Sequence, residues 1–141
     1  MTRDLYVDSS VVLRALLGHS GAAQAWFEAR GAGSQTLVAS RLGLLEVRRV
    51  ASNAGASRAE ADNYTGRFAY MRIDDQLIDE ADAIPYPVKS ADSLHLATAL
   101  RFGADAVEIV THDHQFATAA RALGFQVTDP VTDDPLRDPV A

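Results

Sequence analysis

Short apolar runs alternate with longer helical segments along most of this chain, and that alternation restricts the fold more than any other feature. The runs are almost continuously apolar, as at 5–7 and 106–110, and do not alternate apolar with polar residues. Strands of this kind are buried on both faces, which is typical of a parallel sheet with helices packed on either side. The sequence therefore predicts an α/β fold with a mostly parallel sheet.

Local patterns divide the chain into five strands and seven helices. The predicted strands are 5–7, 36–39, 71–73, 106–110 and 126–128. The predicted helices are 11–17, 22–30, 41–53, 58–70, 76–83, 91–102 and 115–123. Ser40 and Ser90 stand where an N-cap is expected, and Ser57 with Glu60 forms a capping-box pattern. Glycines close several of these segments, as expected at helix ends.

Length and composition predict one domain at 1–130, followed by a loose, acidic, proline-containing tail at 131–141. The chain has 141 residues, of which 48% are hydrophobic and 23% charged, as in ordinary globular proteins. Cysteine is absent, which excludes disulfides and thiolate metal sites. No apolar stretch approaches the roughly 18 residues of a membrane span, and no secretory signal pattern begins the chain. We therefore expect a cytoplasmic protein without membrane association.

Four acidic residues stand where this alternation would bring them together. Asp8 ends the first predicted strand and Asp113 lies just past the fourth, so both belong at the carboxyl edge of the sheet. Glu46 lies on a predicted helix, and Asp92 lies in the first turn of an almost entirely apolar helix that we expect to be buried. Clustered carboxylates repel one another unless one binds a proton or they share a cation. Oxygen ligands of this kind suit Mg²⁺ or Mn²⁺.

Each acid also has an ordinary structural interpretation when it is considered alone. Asp8 could cap the helix that follows it, and Asp113 could form a turn. Glu46 could lie on a solvated helix face, and Asp92 could simply stabilise a helix dipole. Only the joint arrangement of all four favours a metal site.

The histidines offer a competing zinc site. His112 and His114 flank Asp113, and an H-x-H pair is a known arrangement of transition-metal ligands. In an extended segment both rings would point away from Asp113. His19 and His95 are too far apart in sequence to complete a zinc site by spacing.

The ordered set of acidic motifs resembles the PIN-domain ribonucleases, and most closely the VapC-like toxins of VapBC toxin-antitoxin pairs. The resemblance covers about residues 4–129 and preserves the order and spacing of the motifs. The residues that carry it are Val7-Asp8-Ser9-Ser10, Leu45-Glu46-Val47, Ala91-Asp92-Ser93-Leu94-His95-Leu96-Ala97, and Thr111-His112-Asp113 with Phe116.

The resemblance implies a three-layer α/β/α sandwich and a Mg²⁺- or Mn²⁺-dependent endoribonuclease that cleaves single-stranded RNA with metal-activated water. The acids carried over by position, as catalytic residues and metal ligands, are Asp8, Glu46, Asp92 and Asp113. Ser10 and Thr111 would be their supporting hydroxyl neighbours. The resemblance also implies a homodimer, neutralised by a VapB-like antitoxin that packs on the helices at 41–70.

Basic residues near the acids are candidates for contacts with the RNA backbone, namely Arg49, Lys89 and Arg14. The net charge of −6 argues against a polyanionic partner, but bound cations would offset the acids. Two alternatives remain: an acid-pocket α/β phosphatase and a non-catalytic Mg²⁺-binding regulatory domain. A haloacid-dehalogenase-like phosphatase would have an acid at Ser10, and a receiver domain would need a lysine later than Lys89, the only one present.

Overall fold

A computed structural model of the chain describes residues 2–31 and 33–134. Five parallel strands form one sheet in the order β3-β2-β1-β4-β5. The strands are β1 (Asp4–Val7), β2 (Leu37–Ser40), β3 (Phe68–Met71), β4 (Val107–Val110) and β5 (Val127–Thr128). The helices are α1 (Ser9–Leu16), α2 (Gly21–Gly31), α3 (Arg41–Asn53), α4 (Arg58–Thr65), α5 (Asp75–Asp82), α6 (Ser90–Phe102) and α7 (His114–Ala122).

Helices cover both faces of the sheet, and the central strand β1 contributes to both cores. Leu5 and Val7 pack on one face with Phe27 of α2. Tyr6 packs on the other face with Leu96 of α6 and Phe116 of α7. This division follows from the two-residue repeat of a strand, whose successive side chains point to opposite faces. The predicted three-layer α/β/α sandwich is confirmed.

The sequence prediction is wrong between α4 and β3. The predicted helix at 58–70 ends at Thr65, and the chain forms a strand at Phe68–Met71 in place of the predicted strand at 71–73. Gly66 caps the shortened helix, and the Tyr70 hydroxyl donates a hydrogen bond to the Thr65 carbonyl at 2.8 Å. Pairing of β3 with β2 supplies the hydrogen bonds that the longer helix would have made.

Two of the three predicted helix caps are confirmed. The Ser40 hydroxyl accepts a hydrogen bond from the Gly43 N–H at 3.2 Å. Ser57 accepts one from the Glu60 N–H at 3.1 Å, as the capping-box pattern predicts. The prediction for Ser90 is wrong, because Lys89 occupies the N-cap position with an extended backbone and Ser90 is already helical.

The packed part of the chain continues past residue 130, where the sequence suggested that the domain ends. Val131 is buried in the core beside α1 and α2. Asp133 accepts hydrogen bonds from the Ser20 hydroxyl at 2.5 Å and the Ala22 N–H at 3.1 Å. The rest of the predicted tail, 135–141, lies outside the described residues. Among the described helices, none has the length and apolar character required to cross a bilayer.

Candidate active site

Asp8 lies directly after β1, at the point where the strand order reverses between β1 and β4. It occupies the N-cap position of α1, yet its carboxylate makes no capping hydrogen bond. Its Oδ2 accepts hydrogen bonds from the Ser10 hydroxyl at 2.8 Å and the Thr111 hydroxyl at 2.9 Å. The simple capping interpretation of Asp8 is therefore wrong, and its buried carboxylate joins the ends of two neighbouring strands.

Asp113 belongs to the same edge, two residues beyond Thr111. Its backbone N–H donates to the Thr111 hydroxyl at 3.0 Å. Its Oδ1 accepts a hydrogen bond from the Phe116 N–H at 3.1 Å and so caps α7. One carboxylate oxygen of Asp113 thus has an ordinary structural role, as a helix cap and not as the turn considered from sequence.

Glu46 is not a simply solvated residue on α3. Its Oε1 lies 2.7 Å from Nε2 of His95 on α6, and its side chain is 29% exposed. The other ring nitrogen of His95, Nδ1, lies 2.7 Å from the Tyr6 hydroxyl. Glu46 is therefore connected through His95 to the central strand.

Asp92 is only half-buried, less than the apolar helix around it suggested, because it lies in the first turn of α6. Burial nevertheless raises the pKa of its carboxyl to about 6, with further increases from the charges of Asp113, Asp8 and Glu46. The nearby His95 opposes this shift. The charges of the other three acids thus act on Asp92, and their repulsion opposes its ionisation.

His95 responds to the same charges. Burial, the largest single influence, lowers the pKa of its ring, but the hydrogen bond to Glu46 and the charges of Asp8, Glu46 and Asp92 together raise it above the ordinary value. A cationic ring would partly balance the acidic group.

The donor set matches a hard divalent cation in kind. It consists of carboxylate oxygens, and their repulsion is what a cation would relieve. Within residues 2–31 and 33–134, no three acidic or histidine side chains are already arranged to hold a metal ion directly. Mg²⁺ needs no such cage, because it retains several waters and is commonly held by one or two carboxylates.

Comparison with known proteins identifies the family of this chain. The model of the PIN domain matches residues 5–122 of the chain. The chain belongs to the PIN domain family. The resemblance drawn from the acidic motifs is thereby confirmed, since the matched region contains all of them.

Curated relatives and solved structures agree with the PIN domain assignment. Ribonuclease VapC46 of Mycobacterium tuberculosis (strain ATCC 25618 / H37Rv) is 29% identical over 130 residues, covering 89% of this chain and 97% of the relative. Ribonuclease VapC47 of the CDC 1551 / Oshkosh strain is 25% identical over 131 residues, covering 89% and 96%.

Two solved structures share the fold at low sequence identity. A toxin-antitoxin complex from Klebsiella pneumoniae matches with a TM-score of 0.69 and 18% identity, covering 90% of this chain and 98% of the other. VapBC2 from Rickettsia felis, bound to a DNA fragment from its promoter, matches with a TM-score of 0.67 and 12% identity, covering 89% and 97%.

The basic residues proposed to contact RNA differ in their surroundings within this PIN domain. Arg49 on α3 and Lys89 before α6 are exposed. Arg14 is part-buried, with Nε 3.0 Å from Asp134 Oδ2 and a second nitrogen donating to the Ser10 carbonyl at 3.0 Å. Arg14 therefore supports the backbone beside Asp8.

The two histidines beside Asp113 have separate surroundings. His112 is buried, with Nδ1 2.7 Å from Asp129 and Nε2 3.4 Å from Asp134. His114 is exposed at the start of α7. Since no histidine and acid group among the described residues is arranged to hold a metal, the zinc alternative gains no support. His112 instead holds the segment that follows β5.

Two residues of the site were missed from sequence. His95 was considered as a zinc ligand and as part of a family motif but was given no role beside Glu46, and Tyr6 was considered only as a strand residue. The available signal was a histidine three residues after Asp92 on an almost entirely apolar helix. A buried imidazole needs polar partners, and Glu46 and Tyr6 supply them.

Proposed function

We propose that this PIN domain is a metal-dependent endoribonuclease of the VapC-like toxin type, which hydrolyses phosphodiester bonds in single-stranded RNA. Membership of the family and the two relatives named as ribonucleases support this function. The observation that carries it is the placement of acids from separate elements, with Asp8 and Asp113 both bonded to Thr111 at the carboxyl edge of the sheet and their charges, with that of Glu46, acting on half-buried Asp92. Such a concentration of negative charge is typical of a catalytic site.

The acids proposed as catalytic residues and metal ligands are Asp8, Glu46, Asp92 and Asp113. Bound Mg²⁺ or Mn²⁺ would activate water and offset charge on the phosphate. Ser10 and Thr111 donate hydrogen bonds to one oxygen of Asp8, Oδ2, which would leave the other oxygen for a ligand.

Exposed cations beside the acids would hold the RNA backbone. Arg49 and Lys89 are exposed, and each lies three residues in sequence from an acid of the site, Glu46 and Asp92 respectively. Arg14 would act more indirectly, by holding the backbone of Ser10. Their contribution should weaken with salt, because phosphate contacts release counterions.

A VapB-like antitoxin is proposed to neutralise the enzyme, which is proposed to be a homodimer. The solved relatives are described as toxin-antitoxin complexes. In this chain Leu45 and Val50 of α3 are 55% and 44% exposed, within the region at 41–70 assigned to the antitoxin. Exposed apolar side chains of this size would gain from a protein partner. A cytoplasmic location follows from such a system.

Cleavage of single-stranded RNA by matched variants tests the proposal. Asp8→Asn removes one charge from the site, and Asp4→Asn makes the same change at the start of β1 while keeping the oxygen that accepts from the Thr36 N–H. Wild type and Asp4→Asn should cleave in Mn²⁺ and stop with a chelator, whereas Asp8→Asn should be inactive.

The alternatives give different results in the same assay. Equal cleavage by wild type and Asp8→Asn would refute the catalytic assignment. Intact RNA with hydrolysis of a phosphomonoester would favour an acid-pocket phosphatase. Metal binding with neither reaction would favour a regulatory domain.

A further inference from the structure

His95 is a buried polar residue whose two ring nitrogens both have partners. The residue is 1% exposed and lies in the middle of α6 among apolar neighbours. Its Nδ1 is 2.7 Å from the Tyr6 hydroxyl, and its Nε2 is 2.7 Å from Glu46 Oε1. Core packing alone would be served by an aliphatic side chain, without the cost of burying polar atoms. His95 therefore has a role in addition to packing.

Two aromatic rings and a helix backbone pack around the His95 ring. Tyr6 meets it edge to face, with ring centroids 5.9 Å apart, and Phe116 does so at 6.2 Å. On the side of α3, a Cβ added at Gly43 would lie 3.6 Å from Cε1 of His95, so the helix backbone passes close to the ring. Glu46 lies three residues after Gly43 on the same helix, and its carboxylate contacts Nε2 of His95.

Hydrogen bonding assigns a proton to Nε2. The Tyr6 hydroxyl carries its own proton at neutral pH, as a tyrosine side chain ordinarily does, and it can donate that proton to Nδ1. When it donates to Nδ1, the neutral ring carries its proton on Nε2 and donates it to Glu46. A ring with both protons also donates from Nε2, whereas the remaining tautomer would direct a lone pair at the carboxylate. The bond to Glu46 thus forms in both the neutral and the charged state of the ring.

We propose that His95 is a positioning residue for Glu46. Its hydrogen bond would hold Oε1 in place and would leave Oε2 available to a cation held by the acidic residues. Helix α6 would then supply one ligand, Asp92, and one turn later the group that orients another. This role rests on the proposed metal-dependent function. Partners that orient metal ligands in this way commonly change metal affinity by about 10–100-fold when they are removed.

Binding of Mn²⁺ in the absence of RNA, followed by isothermal titration calorimetry, tests the role without measuring activity. His95→Leu removes the donor and keeps an apolar side chain, and should weaken Mn²⁺ binding by about 10–100-fold. His95→Gln offers an amide N–H near the position of Nε2, and should recover most of the lost affinity. Leu96→Ala is the matched control, because it truncates a buried neighbour on α6 that makes no hydrogen bond to an acid.

The path of the effect is tested by combining substitutions. If His95 acts through Glu46, the double variant His95→Leu/Glu46→Gln should bind Mn²⁺ no more weakly than Glu46→Gln alone. Losses that add would overturn the role. So would a His95→Gln variant that is folded but binds Mn²⁺ as weakly as His95→Leu.

Asp8→Asn separates failure of this role from failure of the proposed function. If wild type does not bind Mn²⁺, or Asp8→Asn binds it equally well, both are overturned. If Asp8→Asn loses binding while folded His95→Leu binds like wild type, only the role of His95 is overturned.

Discussion

Replacing Asp92 with asparagine should stabilise the metal-free protein while removing a site carboxylate. In the folded chain the pKa of Asp92 is raised to about 6, first by burial and then by the charges of Asp113 and Asp8. Ionised Asp92 therefore lowers the free energy of unfolding. Asparagine has nearly the same shape and no charge, so Asp92→Asn relieves that cost.

The size of the effect follows from the pKa difference. The shift from 3.8 to about 6 is roughly two units, and each unit corresponds to about 1.36 kcal/mol. The full value would be about 3 kcal/mol, but Asp92 is half-buried, and water and salt screen its interactions. We therefore expect a gain of about 1–2 kcal/mol in the free energy of unfolding.

The gain in stability from Asp92→Asn should be larger at high pH than at low pH. Unfolded Asp92 titrates near 3.8 and folded Asp92 near 6. Well above pH 6 the carboxylate is ionised in both states and the cost is fully present, whereas below 3.8 it is protonated in both and the cost vanishes. The advantage of Asp92→Asn should therefore shrink as the pH falls from above 6 towards 4.

Urea unfolding with a chelator at about pH 7.5 and about pH 4.5 measures this difference. Glu28→Gln, which neutralises an exposed acid on α2, is the control and should change stability little at either pH. The reasoning is refuted if Asp92→Asn is no more stable than wild type at the higher pH. An equal gain at both values would also refute it, because the gain would then not come from the charge.

Three further predictions concern the fold and are checked by urea unfolding. Asp129→Ala should cost roughly 1–3 kcal/mol, because it leaves Nδ1 of the buried His112 ring without its hydrogen-bond partner at 2.7 Å; an unchanged stability would contradict a buried hydrogen bond at this position. Ser57→Ala should cost about 1 kcal/mol by removing the cap of α4, and Ser52→Ala on the exposed side of α3 is the control. Phe27→Ala should cost about 3–5 kcal/mol, since Phe27 is fully buried between sheet and helices; a smaller effect would contradict its central place in that core.

The local sequence pattern predicted an element correctly where residues within or next to that element mark its ends. β1 and β2 are short, mostly apolar runs. The Ser40 hydroxyl accepts a hydrogen bond from the Gly43 N–H, and it caps α3 where the sequence predicted. The local pattern failed at 58–70, where helical tendency continues past Thr65. The strand at Phe68–Met71 exists because it pairs with β2, some thirty residues earlier, and such pairing is not visible in the local pattern.

The same distinction applies to the site. Asp8 and Asp113 could be placed together from sequence, because both follow strands of a parallel sheet and so share its carboxyl edge. The hydrogen bond from His95 to Glu46 could not be predicted from sequence, because it depends on how closely α3 and α6 approach each other beside Tyr6. Half-burial of Asp92 likewise depends on where α6 begins relative to the sheet edge.

The central proposal is that the four carboxylates form a divalent-cation site, and an NMR titration of the Asp92 side chain tests it most directly. Carboxyl carbon shifts followed against pH in metal-free protein should report a pKa near 6. Saturating Mg²⁺ should move that pKa downwards, because the cation offsets the repulsion from the other acids. A titration that Mg²⁺ leaves unchanged would contradict a shared site.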